Sequence, residues 1–85
     1  MFNDILDSRP IPKEIVKAAR EWVEYELNRV YGKRNPIYVP SLQGEAERML
    51  TYRLGKKWKM KHKVEIRVNG ANGRRDITVI IKDWD

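Results

Sequence analysis

The chain contains no cysteine, and this absence excludes several kinds of site. Without a thiol there is no disulfide framework, no cysteine nucleophile and no zinc site built from thiolate ligands. The acidic pairs Glu45/Glu47 and Asp83/Asp85 do not make a metal site either, because an i, i+2 spacing on a helix points two side chains apart and a chain end is poorly fixed. We therefore expect neither a metal ion nor another cofactor.

Long apolar runs are also missing. The first seven residues are acidic and too short an apolar segment for a signal peptide, and no later stretch approaches the roughly 20 residues of a transmembrane helix. Glycine-rich phosphate loops, serine-based catalytic triads and zinc-binding spacings are absent as well. These absences predict a cytoplasmic protein that does not contact a membrane, and they favour a binding protein over an enzyme.

What the chain does contain is enough for one folded domain. Apolar residues make up 41% of it, and three Trp and four Tyr supply large side chains for a core, so the charged fraction of 35% does not indicate disorder. A chain of this length buries roughly 60 to 65% of its unfolded surface. We expect residues 1–85 to form a single domain with one modest core and no large enclosed active site.

Two segments have the three- and four-residue spacing of apolar side chains that is typical of amphipathic helices. The first covers residues 13–31 and ends at Gly32. The second covers residues 41–54, with Ser41 as its N-cap and Gly55 directly after its end.

The segments outside these helices are interrupted by prolines. Residues 1–12 are predicted to form an apolar N-terminal hook, which its prolines break before the first helix begins. Residues 37–39, between Pro36 and Pro40, are predicted to be a short edge strand.

Residues 58 to 68 alternate between apolar or weakly polar side chains at even positions and charged side chains at odd positions. A period of two predicts a strand with one buried face. Residues 57–68 and 75–83 are thus predicted to form a β-hairpin around the turn-rich residues 69–73. The expected fold is α+β: a helix, a short strand, a helix and a long C-terminal β-hairpin, with both helices packed on one face of the sheet.

The register of this hairpin follows from which side chains can face each other. Inward residues must lie opposite inward residues, so the two position numbers of a pair must sum to an odd number. A sum of 143 places Ile66 opposite Ile77 and Arg67 opposite Asp76, whereas a sum of 141 opposes Arg67 to Arg74. Because like charges across a strand pair are destabilising, we predict the register with the sum of 143.

Positive charge is concentrated in the middle of the chain. Residues 29 to 75 carry thirteen basic and three acidic side chains, while the segments on either side each have a net charge of −2. The bases on the predicted hairpin form a row along its outer face and tip, and such a row can follow a phosphate backbone. Arg34 adds to this positive charge. The alternative is that the lysines only solubilise the wet face and block pairing between strand edges. The candidate nucleic-acid-binding residues are Lys56, Lys57, Lys59, Lys61, Lys63, Arg67, Arg74, Arg75 and Trp84.

Trp84 and Ile80 are predicted to lie on the same outer face. A Trp beside lysines stacks on a nucleic-acid base or holds Lys59 through a cation–π contact. The alternative is that the N-terminal hook or a second copy of the chain covers this face, because the apolar residues of the hook also need burial.

Two known nucleic-acid-binding architectures are excluded. The string Gly70-Ala71-Asn72-Gly73 has the G-x-x-G form with which KH domains clamp a nucleic-acid backbone, but there it joins two helices and here it joins two strands. A winged helix is excluded because residues 40 to 56 have room for one helix only, so the two-helix recognition unit is missing.

We expect a small basic nucleic-acid-binding protein, for DNA or RNA, that contacts phosphates through the outer face and tip of the hairpin. The first alternative is a small protein-binding module, such as a phage-type inhibitor or accessory factor that docks on an acidic partner. Two further alternatives are a metal-independent ribonuclease toxin that uses His62 as a general acid or base, and an engineered protein without a function. A domain with apolar residues on both sheet faces is also a candidate for a symmetric homodimer.

Overall fold

In the part of the chain that the structure describes, two helices are followed by an antiparallel β-hairpin, which confirms the predicted α+β class. The computed structural model describes residues 11–33, 38–70 and 76–84. The hairpin is a two-stranded sheet, and its inner face packs against both helices. In chain order the elements are helix α1 (Lys13–Tyr31), helix α2 (Val39–Leu54), a 3₁₀ helix (Lys56–Met60), strand β1 (His62–Asn69) and strand β2 (Asp76–Asp83).

Helix α1 lies at the bounds that its apolar spacing predicts. Pro12 precedes it as the N-cap, and the side chains of Ala19, Val23 and Leu27 are buried at intervals of four residues. Ile15, which the same spacing assigns to the apolar stripe, is exposed. The stripe that contacts the core is therefore shorter than the one predicted.

Helix α2 begins at Val39, two residues before its predicted start. Its N-cap is Tyr38, whose carbonyl accepts the backbone N–H of Leu42 at 3.3 Å. Pro40 lies in the first turn, where its missing N–H would have no partner within the helix anyway. The short strand predicted at 37–39 is therefore wrong at its last two residues, and its first residue lies outside the described part of the chain.

The chain forms a 3₁₀ helix where the alternation predicts a strand from residue 57 onwards. Gly55 turns the chain with φ 87° and ψ 172°, a backbone conformation that is essentially restricted to glycine. Trp58 is then fully buried, and its indole N–H donates to the hydroxyl of Thr51 at 2.8 Å. Met60, which the alternation assigns to the buried row, is 71% exposed, so the inner face of the strand begins only after it.

The hairpin register is two residues away from the predicted one. Opposite positions sum to 145, so Arg67 faces Thr78 and not Asp76. The face against the helices then carries three apolar pairs, which are Val64–Ile81, Ile66–Val79 and Val68–Ile77.

The third apolar pair explains why the predicted register is wrong. In that register Val68 would face Arg75 and Ile81 would face His62, which leaves two apolar pairs instead of three. Bringing Val68 against Ile77 removes apolar surface from water, at about 25 cal/mol per Å². An exposed pair of opposite charges contributes at most about 1 kcal/mol. Burial on the inner face therefore outweighs charge pairing on the outer face.

Side chains of α1 cover the outer edge of β2. The amide of Asn28 donates to the carbonyl of Ile77 (2.8 Å) and accepts from its N–H (2.9 Å). One turn earlier, the Glu24 carboxylate accepts the N–H of Val79 (2.9 Å), and Arg20 donates to the carbonyl of Val79 (3.3 Å). The edge of β2 is thus closed by helix side chains instead of by another strand.

The core lies between the two helices and the inner face of the hairpin. Among the described residues no polar or charged side chain is buried, and neither helix in this part of the chain is long and apolar enough to cross a membrane. Each long helix contributes three side chains spaced four residues apart, and the 3₁₀ helix contributes one Trp. The buried side chains are Ala19, Val23, Leu27, Leu42, Ala46, Leu50, Trp58, Val64, Ile66, Ile77 and Val79.

Candidate nucleic-acid interface

The outer face of the hairpin, where the sequence predicts a row of bases, carries charges of both signs. The carboxylate of Glu65 lies 3.4 Å from the Nζ of Lys82 and 3.4 Å from a guanidinium nitrogen of Arg67. The hydrogen bond and the charge of Lys82, and to a smaller extent those of Arg67, lower the pKa of Glu65 below its ordinary value of 4.5. Such mixing of signs is typical of a solvated surface.

Among the described residues of the predicted row, only Lys63 and Arg67 lie on a strand. Lys59 belongs to the 3₁₀ helix, where its Nζ is 2.8 Å from the Glu47 carboxylate, and Lys61 occupies the turn before β1. The predicted row is therefore wrong as a geometric description. The remaining candidates are Lys56 and Lys57 in the 3₁₀ helix, and Arg34, Arg74 and Arg75, which lie outside the described residues.

A cleft of about 550 Å³ lies between the N-terminal half of α1 and the open end of the hairpin. The start of α1 and the end of β2 meet there because the helix runs antiparallel to the strand that it covers. The lining combines four basic side chains, three aliphatic ones, a histidine, a carboxylate and a Trp. We call it the cationic cleft, and it is lined by Ile11, Lys13, Val16, Lys17, Arg20, Lys61, His62, Ile81, Asp83 and Trp84.

Three of the four basic side chains in the cationic cleft carry charges that no described residue neutralises. Lys13, Lys17 and Lys61 form no ion pair with any described residue. Arg20, in contrast, is bound to carboxylate and carbonyl groups of the fold itself. Asp83 is the one carboxylate in the lining as described. The cationic cleft therefore has the electrostatic character of an anion-binding site.

Trp84 forms part of the wall of the cationic cleft and is held by three contacts. Its backbone N–H donates to the carbonyl of Lys61 (2.9 Å), and its indole N–H donates to the carbonyl of Lys59 (2.6 Å). The Nζ of Lys63 lies 5.1 Å from the ring centroid, so the cation–π partner is Lys63 and not Lys59. Since the residue is still 55% exposed, a fixed aromatic surface is open to solvent beside the lysines of the cleft.

His62 and Asp83 lie opposite each other on the two strands and both line the cationic cleft. The Nδ1 of His62 is 2.8 Å from a carboxylate oxygen of Asp83, and the imidazole is 14% exposed. The contact has the distance of an ion pair but not the angles of a good hydrogen bond. The sequence predicts His62 on the inward row, which is where it lies, but the wrong register places Ile81 and not Asp83 opposite it.

Lys13 and Lys17 are the lysines of the cationic cleft that sequence reasoning missed. Both belong to the polar side of an amphipathic helix, and nothing in the sequence shows which end of α1 lies beside the open end of the hairpin. The one available signal is their i, i+4 spacing, which places both ammonium groups on one side of the helix.

The chemistry available in the cationic cleft is that of anion binding. It brings together free positive charge, a fixed aromatic ring and a histidine beside a carboxylate. No group of three or more His, Asp or Glu side chains close enough to hold a metal ion lies within residues 11–33, 38–70 and 76–84. Comparison with protein families, with curated proteins and with solved structures finds no match to this chain.

Proposed function

We propose that the protein binds nucleic acid through the cationic cleft. The observation that carries this proposal is the exposed and fixed ring of Trp84 beside Lys17 and Lys61, whose charges no described residue neutralises. Lysine charges attract phosphates and release their counterions, which supplies affinity that does not depend on sequence. The ring adds stacking on a base, and stacking requires an unpaired base, so the preferred ligand is a single strand.

The lining of the cationic cleft suits a base together with its phosphates. Ile11, Val16 and Ile81 provide apolar contact area for a base or sugar, and the lysines of the same lining provide charge for the phosphates. The volume of about 550 Å³ lies within the roughly 300–1,000 Å³ that is typical of ligand sites. The outer face of the hairpin, with Glu65 among its bases, is a weaker phosphate surface than the sequence predicts.

Fluorescence anisotropy with labelled single-stranded DNA and RNA tests the proposal. Trp84→Ala is expected to weaken binding by about 5- to 150-fold, the equivalent of the roughly 1–3 kcal/mol that stacking contributes per base. Trp84→Phe keeps an aromatic face, so this matched control should retain most of the affinity. Absence of binding by the unchanged chain at low salt, to single strands and duplexes alike, would refute the proposal.

The contact between His62 and Asp83 supports a second candidate function, the cleavage of RNA. The Asp83 carboxylate lies 2.8 Å from Nδ1, and we assign the role of general base to the other ring nitrogen, Nε2. In this reaction Nε2 accepts the proton of a ribose 2′-hydroxyl as that oxygen attacks the adjacent phosphorus. The 5′-oxygen then leaves with a proton from the ammonium group of Lys61. The products are a 2′,3′-cyclic phosphate and a free 5′-hydroxyl.

A cleavage assay on a short RNA in the presence of a chelator separates this second function from binding alone. His62→Ala is expected to abolish cleavage and to retain most of the affinity for RNA, which rests on Trp84 and the lysines of the cleft. A substrate with one 2′-deoxy sugar at the cleaved position should bind normally and resist cleavage there. Equal cleavage rates for the unchanged chain and His62→Ala would contradict this second function without affecting the binding proposal.

A further inference from the structure

Within the described residues, the rest of the fold covers one edge of the hairpin and not the other. At the β2 edge, the N–H groups of Ile77 and Val79 donate to side chains of α1, so these groups point away from β1. In an antiparallel pair, residues of this kind exchange no hydrogen bonds with their opposite residues, whose backbone groups point to the other edge. Those opposite residues are Val68 and Ile66, and Val64 follows by the same alternation.

The edge of β1 has no partner within the described part of the chain. The outward N–H and C=O groups of Val64, Ile66 and Val68 form no hydrogen bond with another described residue. The strand contains no proline, and its eight residues pair with β2 without a bulge. Neither device interrupts this edge, and the charged side chains of β1 allow pairing in a register that brings opposite charges together, so the backbone groups are available to another strand.

We propose that the β1 edge pairs with the β1 edge of a second copy of the chain, antiparallel, with Ile66 at the two-fold axis. Glu65 of each copy then lies opposite Arg67 of the other, and Val64 lies opposite Val68. The residues of β1 that overlap are 63–69, and the two hairpins become one four-stranded sheet. Three pairs of opposite residues exchange two hydrogen bonds each, roughly six in all.

The charges on the outer face select this register over its neighbours. An axis at Glu65 would oppose Glu65 to itself and Lys63 to Arg67, and an axis at Arg67 would oppose Arg67 to itself, so both bring like charges together. An axis at Val64 pairs Lys63 with Glu65, but it shortens the overlap to residues 62–66.

The edge is therefore complementary to itself, as a two-fold interface requires, and this is why the occupant is a second copy. The pairing also gives a role to Glu65, an acidic side chain whose charged neighbours on this face, Arg67 and Lys82 among them, are basic. Glu65 and Arg67 are both exposed enough for their charges to be changed without disturbing the core.

Sedimentation over a concentration series tests the pairing. The unchanged chain is expected to show an equilibrium between monomer and dimer. Arg67→Glu alone and Glu65→Arg alone each place like charges opposite one another, so each should raise the dimer Kd by about tenfold or more. An equimolar mixture of the two variants restores both pairs of opposite charge, and it should form heterodimers about as readily as the unchanged chain dimerises.

Amide exchange by NMR gives an independent readout at the proposed interface. Protection of the Ile66 and Val68 amides that is lost on dilution supports edge pairing, and protection that does not depend on concentration contradicts it. A chain that remains monomeric at its highest soluble concentration overturns the proposal, and so does a dimer whose Kd neither charge variant alters. None of these results depends on nucleic-acid binding.

Discussion

At the scale of single residues, Asn28 satisfies both backbone groups of one strand residue with one side chain. Its amide nitrogen donates to the carbonyl of Ile77 and to that of Glu24 in its own helix, and its oxygen accepts the N–H of Ile77. Among short side chains, only that of Asn offers a strong donor and a strong acceptor side by side. This explains an asparagine in the interior of α1, where the residue is ordinarily a weak helix former.

Asn28→Ala is expected to lower the free energy of unfolding by about 1–3 kcal/mol, because it leaves the N–H and C=O of Ile77 without partners. Urea denaturation followed by circular dichroism measures the change. Arg29→Ala, at the next and exposed position, is the control and should leave the midpoint nearly unchanged. Equal midpoints for the two variants would contradict the role of Asn28 in closing the strand edge.

The pKa of Glu65 provides a second test at the residue scale. Because Lys82 lowers this pKa below its ordinary value of 4.5, Lys82→Ala should raise it, which an NMR titration of the side-chain carboxyl detects. Glu65 contributes fully to stability at pH values above its ordinary pKa. This contribution is lost as the pH falls through the lower pKa of the folded state. Lys63→Ala, on the same face, is the control and should leave the pKa of Glu65 in place. A titration unchanged in Lys82→Ala would contradict the contact.

At the scale of elements, apolar spacing predicts the helices well and the beginning of the hairpin poorly. The helix at 13–31 could be predicted because its apolar residues recur over five turns before a glycine. Residues 57 to 60 alternate as in a strand, but the same four residues are also compatible with a 3₁₀ helix that buries only Trp58. Nothing in the sequence shows the backbone conformation of Gly55, which decides between the two.

Gly55→Ala is expected to destabilise the fold by about 1–3 kcal/mol, because a side chain there is forced into a strained backbone conformation although open space surrounds it. Gly44→Ala is the matched control. It also adds a methyl group in open space, but within α2, where alanine is favoured over glycine by up to about 1 kcal/mol. Thermal unfolding should therefore move in opposite directions for the two variants, and a shared direction would contradict the assigned conformation of Gly55.

At the scale of the whole molecule, net charge could be predicted from the sequence and its location could not. Lys61 and Trp84 were both candidates, but on a flat outer face and not in the wall of a cleft. Lys13 and Lys17 join them only because α1 runs antiparallel to β2, and this direction is a property of tertiary packing. The residues predicted from the sequence lie at the hairpin end of the site, and the lysines that the fold adds lie on the first helix.

The salt dependence of binding tests the location of the charge. For a single strand, each phosphate contact adds about 0.7 to the slope of log K against log salt. Lys17→Gln combined with Lys61→Gln should therefore lower the magnitude of that slope by about 1.4. Arg29→Gln combined with Lys33→Gln removes the same charge at the far end of α1 and should leave the slope unchanged. Equal slopes for the two double variants would place the phosphate contacts outside the cationic cleft.

The bonds from α1 to the edge of β2 also govern the order in which the molecule acquires its contacts. They join residues that are 49 to 59 positions apart, whereas the hairpin itself closes over the six residues 70–75. Loop-closure entropy grows with the logarithm of loop length, and non-local contacts slow folding. We therefore expect the first helix to dock on the last strand after the hairpin has formed, and until it docks the β2 edge lacks the α1 side chains that cover it. A variant that weakens this docking exposes the β2 edge and is therefore expected to aggregate through it.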